Sequence, residues 1–268
     1  MAMTAQDVVD LVDAHLGVPR REVTVDEYLA GEPGQEVHGV AFTMMATLDV
    51  LQRAAAQGLD LVFSHEPLYF HHREEWNAML ADADDPVHRS KAAFIAEHGL
   101  VVRRLHDAVH DTRPDRIIDG AAHVLGWKDF ERGDLRGVFD IPATTLGALA
   151  GHAARAFGAS ALRYIGDPEL PVSVAGLQPG FFGFEKNRAA LARPEVDVLL
   201  IGESNEWETA AYAADAVSAG LAKGLIVIGH VPSEQEGMAA TAGRLAELLP
   251  GFPVAFVPTA DPFAVLPA

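Results

Sequence analysis

The chain has 268 residues, with 20 basic against 38 acidic side chains for a formal charge of −18, 49% apolar residues and no cysteine. That length and apolar content describe a globular chain able to bury a substantial core. The missing cysteines exclude disulfide scaffolds, thiol nucleophiles and iron–sulfur clusters, so any metal must be held by His, Asp or Glu, and the acidic balance argues against a nucleic-acid partner.

The opening residues Met1 to Asp7 lack a basic n-region, and no apolar run approaches the roughly 18 residues of a membrane span. A cytoplasmic protein with no membrane partner is expected. Thr4 is placed to cap a helix with apolar positions Val8, Leu11, Val12 and Leu16, stopped by Gly17. Val37 to Thr43 reads as a strand, Leu48 to Gln57 as a helix ended by Gly58, and Leu59 to Ser64 as the next strand. A further helix ends at Gly99 and leads into the strand Leu100 to Leu105. Pro114 suits the first position of a helix running to Leu125, with Gly126 past its end.

Strands separated by helix-length crossovers predict an α/β fold with mainly parallel or mixed sheets, whose ligands gather at the carboxyl ends of the strands. A faint internal repeat supports two pseudo-repeated βαβ lobes, 1–133 and 134–268, with a site in the crevice between them. Asp60-Leu-Val-Phe-Ser-His-Glu66 lines up with Asp197-Val-Leu-Leu-Ile-Gly-Glu203, and Gly99 to His106 resembles Gly224 to His230.

The chemistry-bearing residues fall at those strand ends. His106 with His110 and His230 with Glu234 are each four apart, so on a helix each pair shares one face. Ser64-His65-Glu66-Pro67 closes an apolar strand, since proline cannot continue the ladder. Six donors, His65, Glu66, His106, His110, His230 and Glu234, exceed what one catalytic zinc takes and suit two ions. Asp107 and Asp111 flank the second motif and are alternative carboxylates, turn residues or helix caps. His71, His72, His88, His98, His123 and His152 have no partners at strand ends and read as solvent-facing or structural. Gly202-Glu-Ser204-Asn-Glu206 lacks the final glycine of a nucleophile elbow, which disfavours a serine hydrolase. Phe181, Phe182 and Phe184 around Gly180 and Gly183 read as core in preference to an exposed contact.

Asp60 to Phe70, His106-Asp-Ala-Val-His110 and Gly229-His-Val-Pro-Ser-Glu234 resemble the three motifs of the Nif-three-like family, also described as dinuclear metal centre hexameric proteins and type 2 homologues of GTP cyclohydrolase I. The resemblance runs from about Val37 to Asp261-Pro262-Phe263, and is weakest from Phe130 to Val196. In the family these motifs read Ser-His-His-Pro, His-Thr-Asn-Leu-Asp and Gly-His-Tyr-Ala-Thr-Glu. His65, His106, His230 and Glu234 match ligand positions. Glu66 stands where the family has its second histidine, and the aspartate of the second motif falls on His110, or on Asp111 after a one-residue insertion. Exchanging His for Glu at one ligand and Asp for His at another keeps the donor count unchanged.

The resemblance implies the Nif-three-like fold, a homohexamer and two divalent ions per chain, of zinc, iron or manganese. Two ions with two carboxylates leave an excess of positive charge suited to an anionic small-molecule substrate. The expected function is a dinuclear metal-dependent hydrolase acting on a phosphorylated or nucleotide-like molecule, with Glu234 or Glu66 as ligand or proton acceptor. The alternative is a non-catalytic or regulatory metal-binding oligomeric adaptor.

Overall fold

The protein is described by a computed structural model over residues 3–72 and 74–266. It forms two compact units, Met1–Arg116 with Met238–Thr259, and Ile117–Gly237 with Ala260–Ala268. In chain order the elements are β1 (Met3–Thr4), α1 (Ala5–Leu16), β2 (Tyr28–Ala30), β3 (Glu36–Val37), β4 (Val40–Thr43), α2 (Leu48–Ala56), β5 (Leu61–Ser64), α3 (Glu74–Asp82), α4 (Pro86–Glu97), β6 (Val101–Arg104), α5 (Asp107–Asp111) and α6 (Arg116–Leu125). They continue as β7 (Val138–Thr145), α7 (Leu146–Phe157), β8 (Arg163–Ile165), β9 (Pro171–Gln178), α8 (Phe184–Leu191), β10 (Val198–Ile201), α9 (Ala211–Ser218), β11 (Gly224–Val227), α10 (His230–Leu248) and β12 (Val254–Phe256). A π-helical turn, Glu206–Ala210, precedes α9.

Local chemistry sets the element ends. Thr4 and Asp7 form a reciprocal capping box, the Thr4 hydroxyl accepting the Asp7 N–H at 3.1 Å and the Asp7 carboxylate accepting the Thr4 N–H at 2.8 Å. Gly17, at φ 64°, closes α1 in the left-handed region. The helix after Pro114 begins two residues later than its proline suggests. The Thr112 hydroxyl accepts the Arg116 N–H at 3.1 Å, and Pro114 lies in the loop ahead.

In the first unit the sheet order is β12-β4-β5-β6-β2, parallel throughout except for the antiparallel edge β2. β4 and β5 are buried at every position, as expected of strands covered on both faces, and the rings of Phe42 and Phe63 stack at 4.9 Å between them. The second unit orders its sheet β7-β9-β10-β11-β8, with three parallel central strands and antiparallel edges. Leu146, Leu149, Ala153, Leu177 and Leu200 belong to its main apolar core.

The repeat is visible bond by bond. Asp60 accepts the N–H groups of His38 and Gly39 at 2.7 and 3.1 Å; Asp197 accepts those of Ser173 and Val174 at 2.8 and 2.9 Å. The Asp60 carbonyl then receives the Val101 N–H, and the Asp197 carbonyl receives that of Gly224. This register pairs Val101 with Gly224, so His106 corresponds to Gly229 and His230 lies one residue further on.

The chain returns to the first unit at its end, unlike a simple division at residue 133. β12 lies parallel to β4, the Val257 N–H bonds to the Phe42 carbonyl at 2.8 Å, and the Thr259 hydroxyl accepts the Met45 N–H at 2.9 Å. Pairing with β12 occupies the edge of β4 that β5 leaves open.

Candidate metal centre

β5 and β6 are parallel neighbours with Ser64 opposite Arg104, so the chain leaves the sheet at His65 and at Leu105-His106 on the same end. The turn after β5 is fixed from inside: the Ser64 hydroxyl donates to the Glu66 carbonyl at 2.8 Å and accepts the Ala46 N–H at 3.1 Å. After β6, the Asp26 carboxylate accepts the backbone N–H groups of His106, Asp107 and Ala108 at 2.6, 3.0 and 2.8 Å. These are the unsatisfied donors of a helix start, so Asp26 caps α5 from a distant part of the chain. His106 and His110 then lie one turn apart, as their spacing predicts.

The rings of His65, His106 and His110 converge, with centroids 4.5 Å apart for the first pair, 5.1 Å for His65 and His110, and 4.8 Å for His106 and His110. One ring nitrogen from each lies within 4.8 Å of the others, close enough to hold one metal ion. Each Nδ1 has its own acceptor. That of His65 donates to the Leu105 carbonyl at 3.1 Å, that of His110 to the buried Asp115 carboxylate at 3.0 Å, and that of His106 faces Asp107 at 3.3 Å. A carbonyl can only accept, so Nδ1 of His65 carries the proton and Nε2 the lone pair; the two carboxylates favour the same tautomer at the other rings. The donor set therefore could hold a metal ion, with the Nε2 lone pairs free to face it.

Glu66 is buried beside this cluster, Oε1 lying 4.0 Å from His106 Nε2 and Oε2 3.3 Å from the Arg104 guanidinium. Arg104 also donates from Nε to the His65 carbonyl at 3.1 Å and from Nη2 to Nδ1 of His72 at 2.9 Å. His72, read from sequence as peripheral, thus touches the group that balances Glu66, with Nε2 3.8 Å from its carboxylate. Asp107 and Asp111 both face Arg21, which reaches Asp107 at 2.7 Å and binds Asp111 through Nε and Nη2 at 2.7 and 2.8 Å. The hydrogen bond to His106, with those from Val25 and Thr24 and the Arg21 charge, holds the Asp107 carboxyl well below the usual carboxylate range. Asp111 is thereby engaged by Arg21, while His110 is the member of the second motif whose ring meets the cluster, tilted to His65 and edge-on to His106.

The second unit builds a different arrangement at the equivalent strand ends. His230 opens α10, its Nε2 3.0 Å from Glu234 Oε2 one turn on and its Nδ1 3.2 Å from Glu203 Oε1. The Glu234 carboxylate sits against bare backbone. A Cβ on Gly180 would lie 2.0 Å from Glu234 Oε1, and one on Gly202 would lie 2.4 Å from Gly180 N. Ser233 fastens this cradle, its hydroxyl accepting the Gly180 N–H at 3.0 Å and donating to the His230 carbonyl at 2.8 Å. Phe181, expected in the core, is 49% exposed, whereas Phe182 packs against the core of the second unit. The Ser204 hydroxyl donates to the Asn205 carbonyl at 2.9 Å, an arrangement unlike a nucleophile held by a base.

Sequence reasoning missed Arg104, Asp26, Asp115 and the Gly180–Gly202 cradle. Arg104 carried a signal, since arginines at 103 and 104 interrupt an otherwise apolar strand. The others lie far from their partners in sequence or carry no distinctive side chain.

A mixed α/β fold with an imidazole cluster at the end of a parallel strand pair defines the class: a candidate metal-binding α/β protein. The chain belongs to the Duf34/NIF3 (NGG1p interacting factor 3) family, which matches residues 3–262. The fold is similar to that of a Bacillus cereus protein related to NIF3, at 13% identity and a TM-score of 0.78, with 99% of each chain covered. It is similar also to a Staphylococcus aureus hypothetical protein, at 17% identity and a TM-score of 0.74, covering 99% of this chain and 100% of the other. Reduced HcgD from Methanocaldococcus jannaschii has 13% identity and a TM-score of 0.65, with 96% of this chain and 98% of that one covered. No curated protein matches the sequence. Among the described residues no helix is long and apolar enough to cross a membrane.

Proposed function

We propose that the protein is a dinuclear metal-dependent hydrolase acting on an anionic small molecule, phosphorylated or nucleotide-like. The observation that carries the reading is the convergence of His65, His106 and His110, each with its Nδ1 engaged by its own acceptor. In this proposal Glu66 joins them, and His230 and Glu234 supply the remaining donors from the second unit. Divalent ions so held supply Lewis acidity and an acidified water. The chain's own residues then orient and move protons. Asp115 and the Leu105 carbonyl keep His110 and His65 in the tautomer that offers Nε2. Arg104 supplies the charge that lets Glu66 stay buried near the reacting groups, and the glycine cradle keeps Glu234 in one position to accept a proton.

Elemental analysis of freshly purified protein tests the site, with about two ions per chain expected. His65→Ala and His230→Ala should each lower that content, and wild-type metal in both variants would remove the assignment. Turnover of a panel of phosphoesters and GTP, lost with chelator and restored by added metal, tests the chemistry.

A second reading, an oligomeric adaptor in which the ions are structural, is favoured by one observation. Glu66 is paired with Arg104, which weakens it as ligand and as base. No turnover on the panel together with a metal-dependent melting temperature would select that reading. The homohexamer and the cytoplasmic location belong to the proposal; light scattering on the purified protein checks the first.

A further inference from the structure

Next to Glu66 the first unit contains a cavity of about 650 Å³, a size typical of small-molecule sites. Met45, Leu48, Pro67, Leu68, Phe70 and Val87 line it, so the wall is largely apolar. Glu66, His72 and Lys91 also line it. Val87 and Lys91 are one turn apart on α4 and share a face.

Lys91 is out of place by ordinary rules. It is only 4% exposed, although lysine is almost never buried without a partner. Its ammonium donates to the Leu68 carbonyl and stands 5.7 Å from the Tyr69 ring centre and 5.5 Å from that of Phe70. Among the described residues no ion pair accompanies these contacts, and burial draws the pKa of the group down to about 8. Phe70, which also faces the cavity, holds a left-handed backbone at φ 61°, a conformation costly for an aromatic residue. One carbonyl and two ring faces compensate a buried ammonium poorly. A purely structural link to Leu68 would need only a neutral donor.

We propose that this cavity binds a small organic acid, an apolar body bearing one carboxylate or comparable anionic group, with Lys91 as the counter-ion of that group. The apolar wall takes the body, and the acid completes the coordination of the ammonium. Glu66 carries its own compensation in Arg104, so it does not cancel the attraction at Lys91. The inference stands on the first unit alone; only the step of treating the bound acid as the non-reacting part of a substrate rests on the hydrolase proposed above.

The test uses two dyes of similar shape and different charge, anionic 8-anilinonaphthalene-1-sulfonate and neutral N-phenyl-1-naphthylamine, titrated into chelator-treated full-length protein at pH 7. Because metal is absent from the assay, a failed metal assignment leaves the result intact. Wild type should bind each dye at one saturable site. Lys91→Met should weaken the anionic dye at least tenfold and leave the neutral dye within twofold. Lys91→Gln, which retains a donor for the Leu68 carbonyl, should do the same and serves if the methionine variant fails to fold. Val87→Trp, which fills the cavity, should abolish both. Equal affinity of wild type and the Lys91 variants for the anionic dye would overturn the proposal. So would unsaturable binding to wild type, unchanged binding to Val87→Trp, or an oligomer that occludes the cavity and changes mass in that variant.

Discussion

The carboxyl ends of the two sheets share a scaffold and differ in how they hold their donors. After β5 and β6 the first unit places three imidazoles, and each is aimed by an acceptor elsewhere in that unit: the Leu105 carbonyl, Asp107 or Asp115. After β10 and β11 the second unit places one imidazole between two carboxylates, Glu203 and Glu234, and Glu234 is aimed by the lack of side chains at Gly180 and Gly202. Rings have two distinct nitrogens and need a bond at one to present the other. A carboxylate is symmetric and needs only a shape that admits it in one place. The same duplicated Asp60 and Asp197 brackets support both solutions, so the sheet dictates where donors emerge and the loops dictate how they are held.

The largest effect expected from breaking this contrast is at Arg104. Arg104→Met leaves Glu66 buried without its cation and should cost about 3–5 kcal/mol of stability, read by urea denaturation. The Glu66→Gln variant, losing the charge from the other side, should restore part of that loss in the double mutant. In the second unit, Gly180→Ala combines a backbone at φ 69° with a Cβ 2.0 Å from Glu234. A cost of about 2–3 kcal/mol is expected, from left-handed strain and displacement of the carboxylate. Gly158→Ala is the control, because at φ 60° and ψ 26° it is left-handed with open space around the added methyl and should cost only about 1 kcal/mol. Equal costs at the two glycines would mean that the cradle does not constrain Glu234. Smaller still is Asp115→Asn, which spares the fold of the cluster but weakens the tautomer of His110. Metal affinity should fall about tenfold, with the melting temperature of the metal-free protein little changed.

Much of this was legible in the sequence where a local rule governs. Thr4, Gly17 and the buried runs of β5 and β6 announce their elements because capping, left-handed closure and β-branched burial depend on neighbouring residues. The fourfold spacing of His106 with His110 and of His230 with Glu234 was readable for the same reason. The repeat was legible as pattern but not in register: the flanking glycines are two positions out and the histidines one, since the strand pairing sets which residues correspond. Long-range bonds left no trace. Asp26 caps a helix some 80 residues away, and β12 pairs with a strand more than 200 residues earlier. Nothing in the composition around Asp26 or Val254 distinguishes them from surface residues. His72 was invisible as a participant because its role comes from Arg104, whose own burial is a property of the assembled sheet.

The finest prediction concerns the cation that neither set of donors uses. Lys91 has a folded pKa of about 8 against an ordinary value of 10.5, so between these limits the unfolded chain binds a proton that the folded protein does not. Stability must then rise with pH across that window, by about 1 kcal/mol between pH 8 and 9, and the gain is complete only above the unfolded pKa. The groups around Lys91 do not imitate this. Glu66 and His72 share its cavity and His88 lies against Tyr69, but all four are present in wild type and in the Lys91 variant alike and cancel in the comparison. Urea denaturation of wild type and Lys91→Met at pH 7, 8 and 9 isolates the contribution of Lys91, because every other group is common to both chains. Methionine should be the more stable at pH 7, and its advantage should shrink as pH rises. A constant difference between the two proteins would show that Lys91 stays protonated throughout, and hence that the ammonium already has a counter-charge in the folded chain.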